Sequence, residues 1–278
     1  MINFNGILQQ VTNQITTSNR SFLYGDGIFE TIKVVDRKIL FLEDHYFRLM
    51  ASMRIVRMKI PKNFTMEFFE SQILLLTDKL SMSESARVRI TVFRNDGGFY
   101  LPEENTVSYI IEASALTSKE YKITTSNYEV DLFKDSFISK QLLSTLKTTS
   151  KILNVTASIF AQENDLNSCI LLNEDKNVVE TISGNIFMLM DNKLITPSIS
   201  EGCLNGIMRK QVLKLINQFP EMQIEESSIS PFDLQKADEL FITNVIIGIQ
   251  PISKYRKKEY GSNLSQQLLE KINQTIFN

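Results

Sequence analysis

The spacing of apolar residues switches from two to three-and-four and back again in the N-terminal part of the chain, and this constrains the fold more than any single motif. Ile28-Phe29-Glu30-Thr31-Ile32-Lys33-Val34-Val35 is rich in β-branched and aromatic residues, and Asp36-Arg37 turns it back into Lys38-Ile39-Leu40-Phe41. From Leu42 the period changes: Leu42, Tyr46, Leu49, Met53 and Val56 share one helical face, with His45 and Arg48 one turn apart. Pro61 ends that run, and a second helix is predicted over 64–80, with Phe68, Leu75 and Leu76 as buried candidates. Segments 87–94 and 106–113 alternate at period two again, joined by a loop containing Asn95-Asp96-Gly97-Gly98 and Leu101-Pro102. Strands with a pair of helices make an α+β layer.

Ahead of this, 1–15 reads as the start of a β-hairpin that turns at Asn5-Gly6, and Ser18 to Tyr24 leads into Gly25-Asp26-Gly27. Polar residues from Leu116 to Glu120 mark a boundary, giving a smaller α+β domain over 1–117 and a larger α/β domain over 118–278. The second domain is predicted to run from a strand at 121–125 through a loop to a helix at 149–164. Strands follow at 168–173, 178–181, 185–190 and 193–196, then a helix at 207–219. A short helix begins at Asp233-Leu234 and stops before Asp238, and an amphipathic helix at 263–277 closes the chain.

At 278 residues the chain can bury a substantial core, and its net charge of −2 lacks the basicity of a nucleic-acid binder. Small neutral or anionic ligands fit that balance better. The start of the chain has no basic segment followed by a long apolar run, and the most apolar window, 240–249, is interrupted by Thr243 and Asn244 and is too short to span a bilayer. A cytoplasmic protein without membrane partners is expected. Two cysteines and one histidine, with no CxxC or HExxH, exclude the usual zinc spacings, so no metal is expected. There is no P-loop and no GxGxxG either.

Several residues could carry chemistry, and each has an ordinary reading beside the functional one. Lys147 stands in Ser144-Thr145-Leu146-Lys147-Thr148-Thr149-Ser150, between an extended segment and a new helix, where a lysine is most often simply solvated. Arg48 on its helix could be a surface cation, and Glu180 at the end of its strand a turn carboxylate. Gly206 before a helix could expose N–H groups to a phosphate, although glycine is common at helix starts. His45 could be a packed or capping residue, and no GxSxG elbow supports it as a triad base.

In order and spacing, these pieces resemble the class IV, fold-type IV pyridoxal-phosphate enzymes, which include branched-chain and D-amino-acid aminotransferases and aminodeoxychorismate lyases. The resemblance covers nearly the whole chain: Asn19 to Thr31, His45-Tyr46-Phe47-Arg48-Leu49, Leu146-Lys147, Glu180 with Asn185-Ile186-Phe187, Leu204-Asn205-Gly206-Ile207-Met208-Arg209, and Ala237 to Asn244, ending near Gln250-Pro251-Ile252. It implies a two-domain α/β fold like that of D-amino-acid aminotransferase, a homodimer, pyridoxal 5'-phosphate as cofactor and a small-molecule amino substrate. Lys147 would hold the cofactor aldehyde as a Schiff base and then carry the proton at the substrate carbon, tasks that suit an amine with a lowered pKa. Glu180 would pair with the pyridine nitrogen. Arg48 would bind the phosphate, helped by the backbone N–H groups at Gly206, Ile207 and Met208 and by Thr243 with Asn244.

Some positions separate the branches. Ile152 stands where the branched-chain branch carries a tyrosine, and Met208 where many aminotransferases have threonine, as in the lyase branch. The 243–251 stretch also resembles the asparagine-led, apolar lyase version, whereas Phe29-Glu30-Thr31 is as common in the transaminases. The 94–100 loop is similar to the lyase loop without its extra arginine. On this pattern aminodeoxychorismate lyase comes first, amino-acid transamination with 2-oxoglutarate second, and a non-catalytic binding protein on the same fold third. Phe29, Arg94 and Tyr100 are the substrate-side candidates.

Overall fold

A computed structural model describes residues 1–10, 15–123, 125 and 127–277. Its contacts divide the chain into two compact units, Met1–Lys119 with Lys147–Ser150, and Glu120–Leu146 with Lys151–Asn278. Lys147 therefore groups with the N-terminal unit, although the chain on either side of that short segment belongs to the other.

The first unit contains β1 (Ile2–Phe4), β2 (Ile7–Gln9), α1 (Arg20–Tyr24), β3 (Gly27–Val35), β4 (Lys38–Ile39), α2 (Leu42–Ile55), α3 (Met66–Lys79), β5 (Ser85–Arg94) and β6 (Val107–Ala115). Its strands form one antiparallel sheet in the order β2-β1-β6-β5-β3-β4. The first hairpin turns at Asn5 and Gly6, both at positive φ, which a two-residue turn of the Asn-Gly kind requires. The remainder of the hairpin start read over 1–15 lies partly outside the described residues. Alternation along β3 puts Ile28, Ile32 and Val34 into one core with Leu49 and Met53 of α2, Ile73 and Leu76 of α3, and Val88 and Ile90 of β5. Full burial of such side chains contributes about 1.5–3 kcal/mol each. Leu75 does not join them: it is 45% exposed, because its neighbour Leu76 takes the inward position on α3.

The second unit contains β7 (Glu129–Ile138), α4 (Ile152–Glu163), β8 (Ser168–Asn173), β9 (Val178–Thr181), β10 (Asn185–Met190), β11 (Lys193–Thr196), α5 (Ile207–Leu215), β12 (Gln223–Glu226), β13 (Glu239–Asn244), β14 (Gly248–Ile252), β15 (Lys254–Tyr255), β16 (Lys258–Glu259) and α6 (Asn263–Phe277). They build two five-stranded mixed sheets, β12-β11-β10-β13-β14 and β16-β15-β7-β8-β9. Phe187 and Phe241 are cross-strand partners whose rings stack at 5.1 Å, fixing the register of β10 on β13.

Three further expectations need correction. The described residues of the strand read at 121–125 are not in a strand, because side chains take up Tyr121's backbone: its N–H donates to Asn273 Oδ1 and its carbonyl accepts from Asn273 Nδ2. The loop read after it contains β7, whose charges at Asp131, Lys134 and Asp135 mask the alternation. Ser18 to Tyr24 is not plain lead-in but includes the short helix α1, capped by the Asn19 side chain. Among the described residues no helix is long and apolar enough to cross a membrane, and no group of three or more His, Cys, Asp or Glu side chains could hold a metal ion.

Candidate active site

In the first unit, Lys147 lies on an extended segment paired against the start of β3. Phe29 N–H donates to the Lys147 carbonyl at 2.8 Å, and Thr149 N–H donates to Gly27 O at 2.9 Å. This pairing sets the Lys147 amine over the Phe29 ring, 4.5 Å from its centroid. The Arg89 guanidinium also lies over that ring, at 3.7 Å. Across the β3–β5 ladder Phe29, Thr31 and Lys33 face Thr91, Arg89 and Arg87, so the cations Lys33, Arg87 and Arg89 share the Phe29 side of the sheet. Burial lowers the pKa of Lys33 to about 8.

Glu30, the next residue, faces the helices instead. Arg48 of α2 binds it with both edges of a fork, Nε to Oε1 at 2.8 Å and Nη2 to Oε2 at 2.5 Å. His45, one turn earlier, reaches Oε2 through Nδ1 at 2.7 Å. Both partners sit on one stripe of α2, which is why a single carboxylate meets them. Burial pushes the Glu30 pKa upward, but the Arg48 charge and the hydrogen bonds from His45 and Arg48 outweigh it and hold it at about 2. Burial drives the His45 pKa below its ordinary value, opposed by Glu30 and assisted by the charges of Arg48 and Lys147. The imidazole is then neutral, with Nδ1–H donating to Glu30.

Arg94 and Tyr100 belong to a different arrangement. Arg94 donates from Nε to Asp26, from Nη2 to Val56 O and from Nη1 to Asn105 Oδ1, so its guanidinium is committed to holding loops. Arg20 shares Asp26 and donates to the carbonyls of Gly97 and Phe99, pinning the loop on which Tyr100 is 89% exposed.

The second unit carries the other candidates. Glu180 on β9 accepts the Leu204 N–H at Oε2, 3.0 Å, while Asn185 Nδ2 donates to the Leu204 carbonyl at 2.8 Å. The same asparagine packs against Gly206, where an added Cβ would lie 1.9 Å from Asn185 Oδ1. Gly206 opens α5 with no side-chain cap, so the N–H groups of Ile207 and Met208 lack intrahelical acceptors and form a site suited to an anion. Thr243 Oγ1 is buried with no hydrogen-bond partner. Asn244 is turned inward: its Oδ1 accepts from the N–H groups of Ile246 and Ile247 and its Nδ2 donates to Ser183 O. Lys151 lies in the field of Glu180, which opposes the lowering of the Lys151 pKa by burial.

Glu30, Arg89, Lys151 and Asn185 contact or flank the candidate residues and were given no role from the sequence. Only the cross-strand register, which the sequence does not print, relates Arg89 to Phe29. Glu30 had a local signal, since a carboxylate in an otherwise apolar β3 must find a buried partner.

The sequence profile of the family described as "Amino-transferase class IV" matches residues 27–255. The "Aminodeoxychorismate lyase" of Vibrio harveyi is 25% identical over 251 residues, spanning 90% of this chain and 89% of that protein. The "Probable branched-chain-amino-acid aminotransferase" of Aquifex aeolicus is 26% identical over 277 residues, 95% and 87% of the two chains. In fold, the chain superposes on the branched-chain amino acid aminotransferase from Thermobaculum terrenum in PLP-form with a TM-score of 0.85, at 22% identity and covering 99% of this chain and 92% of that one.

Proposed function

The chain belongs to the amino-transferase class IV family, and from that premise we propose that it is a pyridoxal-phosphate enzyme acting as 4-amino-4-deoxychorismate lyase, releasing pyruvate and leaving 4-aminobenzoate. Two features of the second unit suit the cofactor's phosphate. Thr243 presents a buried hydroxyl without a partner, and Gly206 leaves the α5 N-terminus open to an anion. Arg48, Gly206, Ile207, Met208, Thr243 and Asn244 would hold the phosphate, Glu180 the ring nitrogen, and Lys147 the aldehyde carbon. When bound, pyridoxal phosphate supplies an electron sink for the bond broken at the amine-bearing substrate carbon.

Lys147 then acts as the proton carrier: its amine takes the proton from that carbon and delivers one to the departing pyruvate unit. The Phe29 ring keeps the amine in place by cation–π contact. Leu204 N–H keeps the Glu180 carboxylate turned toward its task. Arg89, over the same ring as Lys147, offers a cation to a substrate carboxylate.

The observation that carries the lyase over the transaminase is the start of α5, where buried Met208 stands in place of a hydroxyl residue, as in the lyase branch that this chain resembles. Transamination with 2-oxoglutarate is the second reading, for which Arg89 offers a cation to the second carboxylate that 2-oxoglutarate and its product glutamate carry. The test is a pair of assays, aminodeoxychorismate followed by pyruvate measurement, and amino acids with 2-oxoglutarate followed by glutamate measurement. Pyruvate is the expected product; robust glutamate formation without pyruvate overturns the lyase. A cytoplasmic homodimer is part of the proposal, checked by fractionation and by the solution mass.

A further inference from the structure

Glu201 is a nearly buried carboxylate, 4% exposed, in the turn that precedes the 202–206 loop. It accepts four side-chain hydrogen bonds: from Asn173 Nδ2 at 2.7 Å, Ser228 Oγ at 2.9 Å, Asn177 Nδ2 at 3.1 Å and Lys140 Nζ at 3.2 Å. Asn173 also donates to the Glu201 carbonyl, so main chain and side chain of one residue are fixed by the end of β8. Burial would raise the pKa of this carboxylate, but the four donors outweigh it and hold it below the ordinary value.

These partners matter because of where their chain leads. Asn173 and Asn177 bracket the turn from β8 into β9, the strand that carries Glu180. Glu201 itself leads into Gly202, at φ +97, where an added Cβ would meet Ser139 O at 2.9 Å, and then into Leu204 and Gly206. The far end of the loop is anchored by the Leu204 contacts to Glu180 and Asn185 already described, and Cys203 donates from Sγ to the Pro197 and Ser198 carbonyls. A shift of Glu201 therefore moves the Leu204 N–H that aims Glu180 and the glycine that opens α5, in one displacement.

We propose that Glu201 is a positioning residue for the cofactor site, its carboxylate tying the Glu180 strand turn to the loop that supplies Leu204 N–H and the α5 N-terminus. The inference rests on the assignment of Glu180 and α5 to pyridoxal phosphate. Glutamine has the same shape, but its amide group places two donors opposite donors, so Glu201→Gln strains the network without emptying it. Glu201→Asp keeps the charge and recovers part of it.

The experiment titrates each full-length protein with pyridoxal phosphate, following the visible band and its pH midpoint, and in parallel measures thermal unfolding without cofactor. In Glu201→Gln the dissociation constant is expected to rise about tenfold or more, the lower range for removal of an outer-shell partner, and the pH midpoint of the band to shift, with Glu201→Asp in between. Should Glu201→Gln fail to fold, the pair Asn177→Ala and Ser228→Ala removes two of the four donors while keeping the charge, and the same two readouts are expected to move in the same direction. A lowered melting temperature with unchanged affinity and unchanged pH midpoint overturns the positioning role and leaves a merely structural one. If the unsubstituted protein binds no pyridoxal phosphate, the cofactor assignment falls and this inference with it; if it binds and the variants bind equally well, only this inference falls.

Discussion

Lys147 and Arg89 share one aromatic ring: the lysine amine lies 4.5 Å and the guanidinium 3.7 Å from the centroid of Phe29. A cation–π contact is worth about 0.5–2 kcal/mol depending on exposure. Phe29→Leu keeps apolar bulk and loses the ring face, so kcat is expected to fall by about two- to thirtyfold. Arg89→Met is expected to raise KM for a substrate with two carboxylates by about tenfold or more while changing kcat less, since it removes a binding charge and not a proton carrier. Steady-state kinetics on the two variants separate these effects; equal losses in kcat for both would reject the assignment of Arg89 to binding.

Two lysines four residues apart could compete for the cofactor aldehyde. Lys151 is the one whose amine burial biases toward the neutral form, yet Glu180 pulls it back toward the charged form. Lys147→Ala is expected to abolish the visible band and the borohydride-stabilised mass increase, whereas Lys151→Ala retains both. Mass spectrometry of the reduced protein locates the attachment directly, and a label on Lys151 would reassign the reactive lysine.

The region around Lys147 shows what the sequence could and could not disclose. The elements from β8 to β11 were legible as short apolar runs bounded by turn residues, and α6 by its helical period. β7 was hidden by charged residues on its exposed positions, and Tyr121 was misread because its aromatic, strand-like neighbourhood is satisfied by the Asn273 side chain. Lys147, Arg48, Glu180 and Gly206 could be named because the pieces that carry them resemble the family's pattern, whereas each residue alone had an ordinary reading. The contacts around them could not, since Asn185 and Glu201 meet their partners Leu204 and Asn173 across long stretches of chain. Arg94 illustrates the reverse case, a polar residue at the end of β5, beside a plausible loop, whose donors are committed to Asp26, Val56 and Asn105.

Glu30 gives the fold a defined acid sensitivity. Its pKa is about 2 in the folded chain against an ordinary 4.5 for a glutamate, so the stabilisation is fully present above pH 4.5 and is lost as pH falls toward 2. The shift corresponds to on the order of 3 kcal/mol for this buried group. His45 acts in the same direction from a higher pH, because a histidine whose folded pKa is depressed loses stability as pH falls below 6.5. Urea unfolding at pH 7, 4 and 3 should show a steep loss for the unsubstituted protein, and a Glu30→Gln variant that is weaker at pH 7 but flatter below pH 4.5. Parallel curves for the two proteins would remove Glu30 as the cause.

Gly206 tests the anion site by steric argument alone. Its φ of −71° is open to any residue, so an alanine there meets no backbone penalty. The obstacle is the side chain of Asn185, whose Oδ1 would lie 1.9 Å from the new Cβ. Asn185 must move, which releases its hydrogen bond to the Leu204 carbonyl and loosens the loop that carries the N–H to Glu180. Overpacking of this kind costs about 1–3 kcal/mol, so Gly206→Ala should weaken pyridoxal phosphate binding by about tenfold or more. Adding Asn185→Ala removes the clash but also the Leu204 hydrogen bond. The double variant should therefore bind no worse than Asn185→Ala alone, and tighter than Gly206→Ala. A double variant weaker than either single one would mean that the alanine methyl obstructs the phosphate itself rather than displacing Asn185.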